Sequence, residues 1–193
     1  VLCTAAVLGG GIDWELLPLA GGWSEEEVAG ALRAAVDAHL LVLDRDAPGG
    51  LRWRHALTRD AVLGRLLPPE RAALARRAVA ALDAGALAGD RAGLAIELHV
   101  LAGAGPEAAR LLLAVARQAV DAGALRSAED GLQRAIGLSG RDKVLSAELS
   151  VELVRVLIRR RRGRLHAGRR SELAVAPARA GGAQRAGRRG GDR

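Results

Sequence analysis

Arg52-Trp-Arg-His-Ala-Leu-Thr-Arg-Asp-Ala-Val-Leu63 reads as a short strand that ends at a histidine and turns directly into an amphipathic helix. Strand alternation puts Leu51, Trp53 and His55 on one face, with Arg52 and Arg54 on the other. Upstream, Leu40–Leu43 and Leu51–His55 flank Arg45-Asp-Ala-Pro-Gly-Gly50, a hairpin signal built on turn residues. Earlier still, Ser24-Glu25-Glu26-Glu27 is a capping box whose three carboxylates suit a helix N-terminus. The helix it opens, 24–38, carries Val28, Leu32, Ala35 and Val36 on one face. Ile12 to Leu19 reads as a further short helix. The order is helix, helix, helix, hairpin, helix.

Beyond Pro69 the pattern is helical only. Glu70–Ala84, Asp90–Ala102, Pro106–Ala122, Leu125–Leu138 and Lys143–Ile158 are amphipathic and separated by Gly-containing turns. The third and fourth match the small-residue positions of a tetratricopeptide repeat. Leu112, Val115, Ala116 and Ala119 fall where the first helix packs, Gly123 at the turn, and Ala128, Leu132 and Ala135 where the second docks. Glu129 fits poorly, and aliphatics replace the aromatic positions. From Gly163 no periodic apolar face follows, and Arg, Ala and Gly dominate to Arg193. So little apolar surface does not offset chain entropy. Two readings of 159–193 stand: a disordered basic tail, or the product of a reading-frame shift.

Half of the 193 residues are hydrophobic, yet Met, Phe and Tyr are absent and three Trp supply every aromatic ring. A core of Ala, Leu and Val favours helices. The net charge of +7 is unevenly placed. Residues 159–193 hold 12 Arg against Glu172 and Asp192, net +10; residues 1–158 hold 17 basic and 20 acidic side chains, net −3. The opening run Val1–Leu8 is too short to span a bilayer and lacks a positive segment before it, so neither membrane nor export is expected. Beginning inside an apolar run, the chain reads as an internal piece of a longer protein. Cys3 is alone, which suits a reducing, cytoplasmic setting.

The 52–63 segment, with its hairpin and acidic helix, resembles the winged-helix element that closes the nucleotide module of STAND-type signalling ATPases, including large LuxR-like bacterial regulators. His55 resembles the histidine of that family's Met-His-Asp motif, with Arg54 and Ala56 in place of its neighbours. The resemblance implies that His55 senses the phosphate of a bound ADP once an upstream ATPase core is present. An imidazole N–H that donates to a phosphate oxygen would favour one domain arrangement. The residues alone allow another reading, a strand-end histidine satisfied by backbone or water.

No other chemistry is expected of this chain. His39, His99 and His166 are scattered, and Glu97 and His99, two apart on a helix, point different ways, so no metal site is expected. No Gly-x-Ser-x-Gly elbow occurs, and Gly9-Gly10-Gly11 is followed by no Gly-Lys-Ser/Thr. The chain is therefore expected to be no enzyme and to hold no cofactor itself, ATP or ADP belonging to the parent protein. The helix at 24–38 has a net charge of −3, which a DNA duplex would repel, so specific nucleic-acid binding is not expected. Arg52, Arg54 and Arg59, within an Arg-rich stretch at 52–77, are either a solvated face or the contact for the upstream nucleotide-binding domain.

The expected fold is mainly α. A winged helix with a small β-hairpin (1–66) precedes antiparallel tetratricopeptide-like repeats (69–158) and a disordered or frame-shifted tail (159–193). The expected function is that of a non-catalytic regulatory fragment of a LuxR-like transcriptional regulator. Its repeats would receive a protein or small-molecule inducer and couple it to the nucleotide state. A stand-alone helical-repeat scaffold for protein interaction is the alternative.

Overall fold

The computed structural model describes residues 1–84 and 91–174 and is mainly helical, with one two-stranded antiparallel sheet. Helices α1 (Leu2–Leu8), α2 (Leu16–Gly21) and α3 (Glu25–Asp37) precede the hairpin of β1 (Leu41–Leu43) and β2 (Leu51–Trp53). Then follow α4 (Ala56–Gly64), α5 (Pro68–Ala84), α6 (Ala92–Leu101), α7 (Gly105–Asp121), α8 (Leu125–Leu138) and α9 (Lys143–Ala174). The chain divides into two units, residues 1–157 and residues 158–193.

Local chemistry accounts for most boundaries. The capping box at α3 is complete: the Glu27 amide donates to Ser24 Oγ at 3.2 Å, and the Ser24 amide donates to Glu27 Oε2 at 2.8 Å. At α5 the same reach-back occurs with a leucine at the cap, where the Leu67 amide donates to Glu70 Oε2 at 2.7 Å. Asp142 caps α9 by accepting from the Leu145 amide at 3.0 Å. Helix α7 ends in a left-handed glycine, Gly123, with the Ala124 amide donating to Ala119 and the Gly123 amide to Val120. That double bond pattern satisfies two carbonyls the helix end would otherwise leave open.

The hairpin pairs Leu41 with Trp53, Val42 with Arg52 and Leu43 with Leu51. Gly11 adds an isolated bridge to Arg52, and the Ile12 amide donates to the Leu51 carbonyl at 2.8 Å. This strand-like contact lies where the sequence suggested helix. The Ile12–Leu19 helix instead starts at Leu16, because Gly9–Gly11 extend the chain and Ile12 is taken up by the sheet edge.

Two cores form within residues 1–157. The first joins Ile12, Leu16 and Leu17 to Val28, Leu41 and Trp53, and also takes Ala75, Ala78 and Ala81 of α5 and Leu98 of α6. The second gathers Ile96 with Leu112, Leu113, Leu132, Leu149 and Val156. Packing therefore does not change hands between residues 66 and 69. It changes within α6, whose Ile96 and Leu98 face opposite cores.

Of the expected repeat positions, Ala128, Leu132 and Ala135 are buried, as are Leu112 and Ala116. Ala119 is partly buried. Val115 is exposed, and Leu113 is buried in its place. The buried stripe on α7 comprises Ala108, Ala109, Leu112, Leu113 and Ala116, so it keeps Leu112 and Ala116 of the repeat pattern and is turned from Val115 toward Leu113. Residue 90, where α6 was expected to begin, lies outside the described residues.

Within the second unit the backbone is helical through residue 174, 16 residues (159–174) into the segment expected to be a disordered or frame-shifted tail. Arg, Ala and Leu are strong helix formers, and extending an existing helix avoids the cost of nucleation. The rest of that segment, 175–193, lies outside the described residues.

Candidate functional site

His55 is the N-cap of α4, with extended backbone (φ −134°, ψ 135°). Its carbonyl accepts from the Thr58 amide at 3.1 Å, which starts the helix, while its side chain makes no capping hydrogen bond. The residue is exposed. The strand face expected for it therefore stops at Trp53: Leu51 and Trp53 are buried, but the chain turns into α4 before residue 55 can follow them.

Of the three arginines expected to contact a partner, two are engaged within the chain. Arg52 Nε donates to Asp44 Oδ2 at 2.6 Å across the hairpin. Asp44 also accepts the Asp46 amide at 3.0 Å. That amide, and then the Arg52 guanidinium, hold the Asp44 carboxyl below its ordinary pKa. Arg59 Nε donates to the Ala6 carbonyl at 2.9 Å, closing one of the open carbonyls at the end of α1. Arg54 is exposed and makes no side-chain bond among the described residues.

Helix α4 is lightly held. None of its residues is fully buried, Val62 and Leu63 are partly buried against the first core, and Leu57, two positions after His55, is 80% exposed. Arg54, His55 and Leu57 thus form an open surface at one end of a helix that few contacts restrain.

A concavity of about 960 Å³ is lined in part by Arg59. Gly9, Gly10 and Gly11, residues of α6 and the wing-tip Gly49 also line it. Asp13, 5% exposed, lines it and pairs with Arg91, which also approaches Glu15 Oε2 at 3.8 Å. Arg91 Nη1 is buried and has no hydrogen-bond partner among the described residues. Glu97 on the same cleft is held by Arg134 at 2.8 Å.

Sequence reasoning missed this cluster. Asp13 and Arg91 are 78 positions apart, and no periodicity or motif links them. Only the tertiary fold, which brings the start of α6 to the Gly9–Glu15 segment, joins the two. Cys3 is exposed and free, and no group of three or more metal-binding side chains occurs among the described residues. No described helix is long and apolar enough to cross a membrane. No family model, curated protein or solved structure matches the chain.

Proposed function

We propose that the chain is a non-catalytic regulatory segment of a STAND-type signalling ATPase, of the kind found in LuxR-like bacterial transcriptional regulators. Residues 1–66 form the arm that meets an upstream nucleotide module, and the helices from α5 onward begin a helical sensor. The observation that carries this reading is the open surface at the start of α4. There an imidazole without a side-chain partner among the described residues stands at a strand-to-helix junction, beside an exposed Leu57 and an Arg54 that pairs with no described side chain.

The physical logic is that of a two-state latch. A helix N-terminus carries partial positive charge, and with His55 and Arg54 it suits a phosphate oxygen. Leu57 would be covered by the nucleotide module in one state and exposed in the other. Nucleotide at His55 and an inducer on the helical sensor then bias one equilibrium. The light packing of α4 supports such movement, because few contacts must be given up.

The reading is tested in the parent protein. The coding sequence immediately upstream should contain an in-frame Gly-x-x-x-x-Gly-Lys-Ser/Thr loop; its absence removes the proposal. With that loop present, His55→Ala in the full-length parent should weaken ADP retention by roughly 10-fold or more, the worth of one hydrogen bond to a charged group. Unchanged retention would show that His55 is only a strand-end residue.

A further inference from the structure

We infer that the outward face of α9 docks a second copy of this chain. The two α9 helices pack antiparallel, related by a two-fold axis near Val151. On that face Val144, Val151 and Val154 are each at least half exposed, and Ala147 among them is exposed too. The positions 144, 147, 151 and 154 alternate steps of three and four residues, the rhythm of a seam that meets another helix.

The opposite face of the same helix already has its partners. Leu145, Leu149 and Val156 are buried in the second core, and Arg117 of α7 bonds Glu148 and Glu152. Helix α9 thus carries two apolar stripes, of which the second core covers one. A face meant for water would be polar, and this one is not. The sequence from Gly163 to Arg193 has no apolar rhythm to lie along it.

A second copy is selected because the face is complementary to itself. Under a two-fold axis, when one residue meets another, the reverse contact forms as well. Centred on Val151, that residue meets its own copy and Ala147 meets Val154. On one flank Glu148 and Arg155, a heptad apart, meet each other, so opposite charges face twice. On the other flank the central side chain is Ser150, whose hydroxyl donates to the Ser146 carbonyl at 2.8 Å, so no charge opposes itself there. Glu148 and Arg155 are exposed, and their ties within the chain are shared: Arg117 divides between Glu148 and Glu152, and Glu152 also takes Arg155. Exposed pairs of this kind are weak and exchange readily. The apolar seam therefore supplies the affinity, and the charges set the direction. A parallel pair would instead hold Glu148 and Arg155 level with their own copies.

From Val144 to Val154 the seam runs about 15 Å, shorter than a permanent dimer uses. A reversible dimer with a Kd of roughly 10–500 µM is expected. Sedimentation equilibrium of the whole 193-residue chain reads it, from about 5 µM to about 1 mM in about 0.15 M salt. The mass should rise from 20.0 kDa toward twice that value and no further. Val151→Asp, which sets two carboxylates against each other in the seam, should raise Kd about tenfold or more. Glu148→Arg or Arg155→Glu alone should raise it about threefold or more, and the two together should restore it. Circular dichroism checks that each variant keeps its helices, and the charge exchange stands as the test should Val151→Asp lose them. The inference is overturned by a chain that stays monomeric to the highest concentration, or by association past two copies. A folded Val151→Asp chain that pairs as the original does overturns it, as does a double exchange no tighter than the single changes. The dimer does not rest on the nucleotide reading, and none of these outcomes bears on ADP retention in the parent, so the two proposals fail separately.

Discussion

Gly49 and His39 are two left-handed positions with opposite consequences. At Gly49 (φ +68°) an added Cβ would lie 2.5 Å from the Ile12 carbonyl oxygen and 2.9 Å from the Trp14 ring, so the wing tip docks only as glycine. Gly49→Ala should cost about 2–3 kcal/mol, from backbone strain and overpacking together. Urea denaturation followed by tryptophan fluorescence measures it, and a loss under about 0.5 kcal/mol would show that the tip is not docked. His39 occupies a left-handed turn at φ +58°, where the Leu40 amide donates to Ala35 and its own amide to Val36. A glycine usually stands there. His39→Gly should raise stability by about 0.5–1 kcal/mol in the same measurement.

At the scale of elements, α3 is the helix whose start is most completely specified by neighbouring residues. Ser24→Ala removes the hydroxyl half of the capping box and should cost about 1 kcal/mol in thermal unfolding. The box also predicts an acid dependence. The Ser24 amide first, and its hydroxyl second, hold the Glu27 carboxyl below its ordinary pKa. A lowered folded-state pKa means that this stabilisation is complete above the ordinary glutamate value and is lost as pH falls through the lowered one. Glu27→Gln, which removes the titrating group, should therefore flatten the acid limb of the stability profile, and parallel profiles would deny the coupling. Boundaries of this kind were legible in the sequence. Leu125–Leu138 was expected and found over the same residues, and α3 differs from its expected span only by its two caps. The rotation of the buried stripe on α7 was not legible, because Val115 and Leu113 are equally apolar and only the neighbouring helices choose between them.

At the scale of the molecule, the two cores share α6. Trp53 lies in the first core and Trp23 packs against it, whereas Leu132 lies in the second, 1% exposed. Leu132→Ala should cost about 2–5 kcal/mol through lost burial and a residual cavity. Because Ile96 and Leu98 tie one helix to both cores, tryptophan fluorescence and far-ultraviolet circular dichroism should report one transition, lowered together. A fluorescence midpoint left in place while ellipticity falls early would mean that the cores unfold independently. Paired charges between α7 and α9, Arg110 with Asp142 and Arg117 with Glu148, are exposed and should add little to this cooperativity.

What the residues determined by themselves is whatever depends on neighbours along the chain. Caps, the hairpin turn, helix lengths and the strand-to-helix step at His55 all follow from spacing within about four residues. Tertiary structure alone decided that His55 is left open while Trp53 is buried, and that Arg59 closes α1. It also placed Asp13 beside Arg91 at a cleft and left no packing break at residue 66. Those outcomes rest on which apolar faces of Ala, Leu and Val find one another across distant segments. The hydrophobic effect that pairs them is non-directional, and so it leaves no local pattern to read.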